Sequence, residues 1–164
     1  MATSNGSDPR EPDLLGDGLR PMTPGRRRGY AGVNTSSSPF FLAMIIAPRS
    51  ALTRRLAAAI PAVQAGLGLT YAGTLTAGVL ARGRMPDFRD PDDLRVTLAQ
   101  QDGFLAGWTH YISFDLFVGH WIWRDALRRG RTARLALFLT WMAGPVGLTW
   151  YAGQRLIQDA RATE

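Results

Sequence analysis

Uncharged and apolar positions fall in long runs separated by short charged segments. Between residues 56 and 81 there is no charged side chain in 26 positions, and a helix needs only about 20 residues to cross the hydrocarbon core of a bilayer. Residues 103–123 form a second run with one formal charge, Asp115, and with Trp108, Trp121 and Trp123 toward its ends, as aromatic belts prefer. Residues 135–154 form a third, interrupted by Gly144, Pro145 and Gly147; that interruption predicts a kinked helix or a loosened ladder. A fourth uncharged stretch lies between Arg28 and Arg49, but only residues 40–47 are strongly apolar. It predicts a short or partly interfacial helix starting near Ser38, whose hydroxyl would cap it ahead of Pro39. The pattern implies an all-α fold, a polytopic membrane helix bundle of four transmembrane helices, the first one short.

Around these runs the chain divides into a tail (1–37), a transmembrane domain (38–155) and a C-terminal tail (156–164). The N-terminal tail is rich in Pro, Gly, Asp, Ser and Arg and lacks an apolar face, which predicts disorder. No apolar core follows closely enough on the N-terminus for a secretory signal. Residues 82–102 read as a hydrated loop with a short surface helix from Asp92; Asp90, Asp92 and Asp93 lie among arginines and lack EF-hand spacing, which favours a solvated loop over a cation site. In the run 56–81, small residues stand four apart at Gly68 and Ala72, Gly73 and Ala77, and Thr74 and Gly78. Helices that share lipid as solvent pack closely through such positions.

Composition changes this picture little. All 19 basic residues are Arg, giving a net charge of +6, but they flank apolar runs instead of forming a patch interleaved with polar side chains, so no nucleic-acid partner is implied. Arg26, Arg27 and Arg28 could touch anionic headgroups. The chain has no cysteine, which excludes disulfides, thiolate nucleophiles, iron-sulfur clusters and Cys-ligated zinc. Arginines in the short loops set orientation, and their density puts residues 48–55 and 124–134 on the cytoplasmic side of a bacterial-type cytoplasmic membrane.

The chemistry-bearing residues concentrate in residues 103–123. An ionised carboxylate at mid-membrane is unfavourable by roughly 3 kcal/mol on insertion scales, so Asp115 must be paired, wetted or protonated and must face the bundle interior. At about 100° per residue, Asp115 shares a stripe with Trp108, Ile112, Gly119 and Ile122, whereas His110 and His120 each lie about 140° away. The three cannot converge on one ligand from this helix alone, and a local metal site is not implied. Asp115 stands evenly between a functional group and a structural one hydrogen-bonded to a neighbouring helix, while each histidine favours the structural reading. Gly119, set opposite the Gly144-Pro145-Val146-Gly147 interruption, suggests close contact between the last two helices, with packing somewhat ahead of a gap for a long flat apolar ligand.

The run Gly107-Trp108-Thr109-His110-Tyr111-Ile112-Ser113-Phe114-Asp115-Leu116-Phe117-Val118-Gly119, followed by Trp121-Ile122 and Asp125, resembles the signature of the ABA4-like membrane protein family. Gly144-Pro145-Val146-Gly147-Leu148 with Tyr151 is similar to a second family motif, and Ala47-Pro48-Arg49 with Thr53-Arg54-Arg55 to its first loop. The resemblance covers residues 40–155 and implies a four-helix integral membrane protein; plant members are needed to make neoxanthin, an allenic carotenoid, on the way to abscisic acid. His120 stands where the family pattern has Arg, and the first span is polar in its first half.

Two function classes follow. One is an isomerase-like activity on a carotenoid or related isoprenoid, with Asp115 and His110 as candidate acid and base and Trp108, Phe114, Gly119, His120, Gly144, Pro145 and Gly147 as candidate ligand-lining positions. Opening an epoxide to an allene has no net redox change, so it needs an acid at oxygen and a base at carbon, and no cofactor is evident. The other is a noncatalytic membrane component that binds lipid or pigment, or supports a partner enzyme, as a homo-oligomer or with another membrane protein. An ion or proton carrier is disfavoured by the single intramembrane acid.

Overall fold

A computed structural model describes residues 19–162. Its elements, among these residues, are all helical: α1 (Pro24–Ser36), α2 (Ser38–Ile46), α3 (Ala51–Arg82), α4 (Pro91–Ala99), α5 (Gln101–Arg128), α6 (Arg134–Ala143) and α7 (Pro145–Ala162). α3 and α5 form the central pair, and α3 is the one described helix long and apolar enough to cross a membrane by itself. Its first turn is capped by Ser50, whose hydroxyl accepts the Thr53 N–H at 3.0 Å, and Gly83 closes its end.

The distribution of apolar side chains is inverted at the periphery. A core exists, with Phe41, Met44, Leu116, Ile122 and Leu137 fully buried between α2, α5 and α6. Yet Leu69 and Leu80 on α3 are each 76% exposed, and Phe114, Phe117, Phe138, Trp150 and Ile157 stand outward as well. Large apolar side chains thus stand on the surface of α3, α5, α6 and α7.

Two elements depart from the expectations of the sequence. Residues 24–36, placed in the disordered tail, form α1; residues 1–18 lie outside the described residues. Thr23 caps α1 by accepting the Arg26 N–H, Pro24 opens it, and docking on α5 stabilises it. Val33 is buried with Leu67 and Leu105, Tyr30 packs on Phe104 and Trp108, and Arg26 pairs with Asp102 at 2.5 Å. A polar helix thus gains a partner that local composition could not announce. The chain then passes through Ser37 into α2, and Ser37 rather than Ser38 stands at the junction, without a side-chain cap. Thr23 meets Gln101 at one end of α5, Phe41 meets Gly119 farther along, and Trp123 donates to the Pro48 carbonyl at the other end. α1 and α2 together therefore run the height of the bundle.

The second departure is at residues 135–154. Instead of one kinked helix, α6 and α7 form a hairpin that reverses at Gly144, whose φ of +37° few residues but glycine adopt. A Cβ on Gly147 would overlap the backbone and hydroxyl of Thr140 and come 2.5 Å from the Ala136 carbonyl, so α7 lies directly on α6. α7 then descends alongside α5: the Tyr151 hydroxyl donates to Asp125 at 2.8 Å and Arg129 pairs with Asp159 at 2.7 Å. Both ends of the hairpin lie at the arginine-rich end of the bundle.

At the opposite end, Asp93 on α4 accepts from Arg82 and Arg84, each at 2.5 Å. Arg84, the Asp87 N–H and Arg82 hold its carboxyl well below the usual carboxylate range. Asp93 is thus engaged by the arginines beside it, while Asp90 caps α4 by accepting the Asp92 N–H at 3.0 Å. Of the small residues on α3, Gly78 faces Asp102 of α5 and Thr74 is buried, whereas Gly68 and Gly73 face open space.

Candidate functional site

Asp115 sits halfway down α5 and its carboxylate lies against the tip of the α6–α7 hairpin. A Cβ on Gly144 would stand 2.5 Å from Asp115 Oδ1, so glycine at this position serves both the turn and the carboxylate's approach. Because α7 begins at Pro145, the positive end of its dipole is at the same place, which favours negative charge there. No hydrogen bond or ion pair to Asp115 is formed among the described residues.

Beside this contact opens a cavity of about 510 Å³, lined by Asp115, Trp108, Tyr111 and Ile112 of α5, by Trp141 to Pro145 at the hairpin tip, and by Asn34 and Ser38 at the α1–α2 junction. Its size is within the range of small-molecule sites. Trp108 is fixed by Tyr30, by Phe104 stacked at 6.2 Å and by Asn34, which accepts its indole N–H at 3.2 Å. Trp141 is stacked on Phe41 at 6.0 Å. The result is an aromatic slot with one carboxyl group at its centre.

The residues nominated by the sequence separate. Trp108, Asp115, Gly144 and Pro145 meet at the cavity. His110 does not: it is exposed on another face of α5, stacked on Phe114 at 4.5 Å and 5.9 Å from the ring of Tyr71. His120 stacks on Trp123 at 5.8 Å, near the arginine-rich end. Gly119 makes room for the Phe41 ring, 2.5 Å from where its Cβ would be, so it packs against α2 and not against the hairpin break. Gly147 seats α7 on α6. Among the described residues no three His, Asp or Glu side chains gather as a metal site. Asn34, Ser38 and Trp141 were not nominated; the break in α6–α7 pointed toward Trp141, whereas nothing local pointed to Asn34.

The remaining signature residues form a clasp. Asp125 is buried and meets Tyr151, Arg128, Arg129 and Arg155, while Arg155 lies over the Trp121 ring at 5.7 Å. Thr53 donates to the Ala47 carbonyl at 2.6 Å and Arg49 to the Gly130 carbonyl at 2.7 Å, tying the first loop to the end of α5. The three motifs therefore converge on one end of the bundle and on the hairpin it supports.

A family model described as ABA4-like, ABA DEFICIENT 4-like, matches residues 30–151, well over half of the chain. The chain belongs to the ABA4-like family. The match begins in α1 and ends at Tyr151, so it takes in the cavity, the hairpin tip and the clasp except Arg155. No curated protein and no solved structure matches the chain.

Proposed function

We propose that this ABA4-like chain is a multi-pass membrane protein whose cavity at mid-depth holds the oxygen-bearing end of an elongated isoprenoid, such as a carotenoid, and isomerises it through Asp115. The carrying observation is a carboxyl group in an aromatic slot at the tip of a reversed helix pair. Broken helices at membrane depth are tolerated where they are buried in protein or line a cavity, and helix N-termini there face anionic groups. In this reading α1 with α2, α3 and α5 cross the bilayer, while α6 and α7 enter and leave on the arginine-rich, cytoplasmic side. The outward Leu, Phe and Trp side chains supply the lipid-facing surface.

One carboxyl group suffices for an epoxide-to-allene conversion. Asp115 gives its proton to the epoxide oxygen as the carbon–oxygen bond breaks, then, as carboxylate, takes the proton lost from the neighbouring carbon. Protons and electrons balance, so the product is an isomer and neither oxidant nor cofactor is required. His110, remote from the cavity, has no part in this scheme.

The second reading, a noncatalytic lipid- or pigment-binding component, is favoured by one observation: Asp115 is the cavity's only carboxyl or imidazole group among the described residues. Expression in a strain that accumulates violaxanthin separates the two. The isomerase reading expects a new allenic pigment with the wild type and none with Asp115→Asn; pigment that co-purifies unchanged with both folded proteins supports the binding reading instead. No pigment change and no co-purifying pigment or lipid overturns both.

A further inference from the structure

The cavity has a second polar wall, contributed by α1. The indole N–H of Trp108 donates to Oδ1 of Asn34 at 3.2 Å. An indole nitrogen can only donate, so this contact determines which end of the amide is oxygen and leaves the Asn34 NH₂ as the end not engaged by Trp108. Asn34 and Asp115 line the same space, one from α1 and one from α5. Ser38, Tyr111 and Trp141 also bring hydroxyl or indole donors to this cavity, and Asn34 is its only side-chain amide among the described residues.

We propose that Asn34 is a positioning residue of this cavity, donating its amide N–H to the same ligand oxygen that Asp115 addresses. The inference rests on the reading of the cavity as a site for an oxygen-bearing isoprenoid and adds to it the second donor. Two groups from different helices define where that oxygen sits, as a single carboxyl group could not. In the proposed ring opening the oxygen gains negative charge as its bond to carbon breaks, and a donor already aimed at it stabilises that charge without further reorganisation. A hydrocarbon of the same shape would offer this donor no acceptor, so the oxygen-bearing ligand gains a hydrogen bond that the hydrocarbon lacks.

Limonene oxide and limonene differ by one oxygen and serve as probes, with quenching of tryptophan fluorescence in the full chain in mild detergent as the readout, since Trp108 and Trp141 line the cavity. The wild type should bind the oxide about tenfold more tightly than the hydrocarbon, as one net hydrogen bond provides. Asn34→Asp is the informative variant: it still accepts from Trp108, so α1 keeps its anchor, but the amide donor is gone. Asn34→Ala, checked by circular dichroism and melting, removes the side chain without adding charge. Both should weaken binding of the oxide severalfold, Asp115 keeping part of the preference, and leave limonene's affinity unchanged. An oxide preference undiminished by both substitutions overturns the role of Asn34 and leaves the ligand-site reading standing. A wild type quenched by neither probe, or equally by both, overturns the reading and the inference together.

Discussion

The first and last helical passes are both interrupted beside the same cavity, yet one continues across the bundle and the other turns back. At the first break Ser37 keeps right-handed helical angles, φ −85° and ψ −21°, and its carbonyl accepts from both Phe40 and Phe41 at 3.1 Å. Pro39 removes a donor there but leaves the direction of the chain. At the second break Gly144 takes φ +37° and ψ −93° ahead of Pro145, and the next helix starts on the opposite course. Pro61 provides a third case, since α3 runs through it without interruption. A proline by itself thus subtracts a hydrogen bond; a preceding glycine at positive φ is what redirects the chain.

The sharpest way to break this comparison is a topology measurement. The chain has no cysteine, so Gly130→Cys, Arg161→Cys and Arg28→Cys can each be labelled singly with a membrane-impermeant maleimide. Gly130 and Arg161 should label from the same side and Arg28 from the other. Labelling of Gly130 and Arg161 from opposite sides would mean that the last pass crosses.

The next largest effect should come from Gly147. Its replacement by Ala would drive a methyl group into Thr140 and the Ala136 carbonyl, backbone atoms that cannot swing aside. Destabilisation of about 3 kcal/mol or more is expected, the upper range for overpacking, measured by unfolding in mild detergent. Gly32→Ala in α1, where the added atom meets open space, should be neutral or slightly stabilising. Equal effects at the two positions would remove the distinction between a close-packed hairpin and a loosely seated first helix.

Acid should distinguish the α4 end of the bundle from the hairpin tip at mid-depth. The Asp93 carboxyl is held below its ordinary value by Arg84, the Asp87 N–H and Arg82. A lowered folded-state value contributes stability above the ordinary carboxylate range, and that stability is lost as pH falls below it. Hydrogen exchange in residues 83–99 should therefore accelerate at acid pH, ahead of residues 136–148 at the hairpin tip, which no carboxylate pair holds. Simultaneous acceleration would show that the two segments are coupled.

Much of this was legible in the chain. The uncharged run 56–81 predicted α3, the cost of a carboxylate in lipid predicted the inward direction of Asp115, and the separation of His110 and His120 from it followed from helical geometry alone. Two things were not. Residues 24–36 carry three consecutive arginines and no strong apolar face, so their helix depends on Leu105, Trp108 and Asp102, which are distant in sequence. The reversal at Gly144 needed the sign of one torsion angle, and Gly-Pro in an apolar run is compatible with a kink as well as a hairpin. Asn34 stayed hidden for the first reason: its importance arises only when α1 docks.

The smallest effect should be at the first break itself. Ser37 is 1% exposed and its hydroxyl has no hydrogen-bond partner, so removing it deletes a buried polar atom without stranding another. Ser37→Ala is accordingly expected to change stability by no more than about 0.5 kcal/mol, and in the stabilising direction. A loss of about 2 kcal/mol would mean that the hydroxyl is satisfied in the membrane, for instance by water or by a bound ligand's oxygen. The first break would then be a polar element of the cavity, comparable in kind to Gly144 and Asp115 across from it, and no longer merely the place where a helix loses one donor to Pro39.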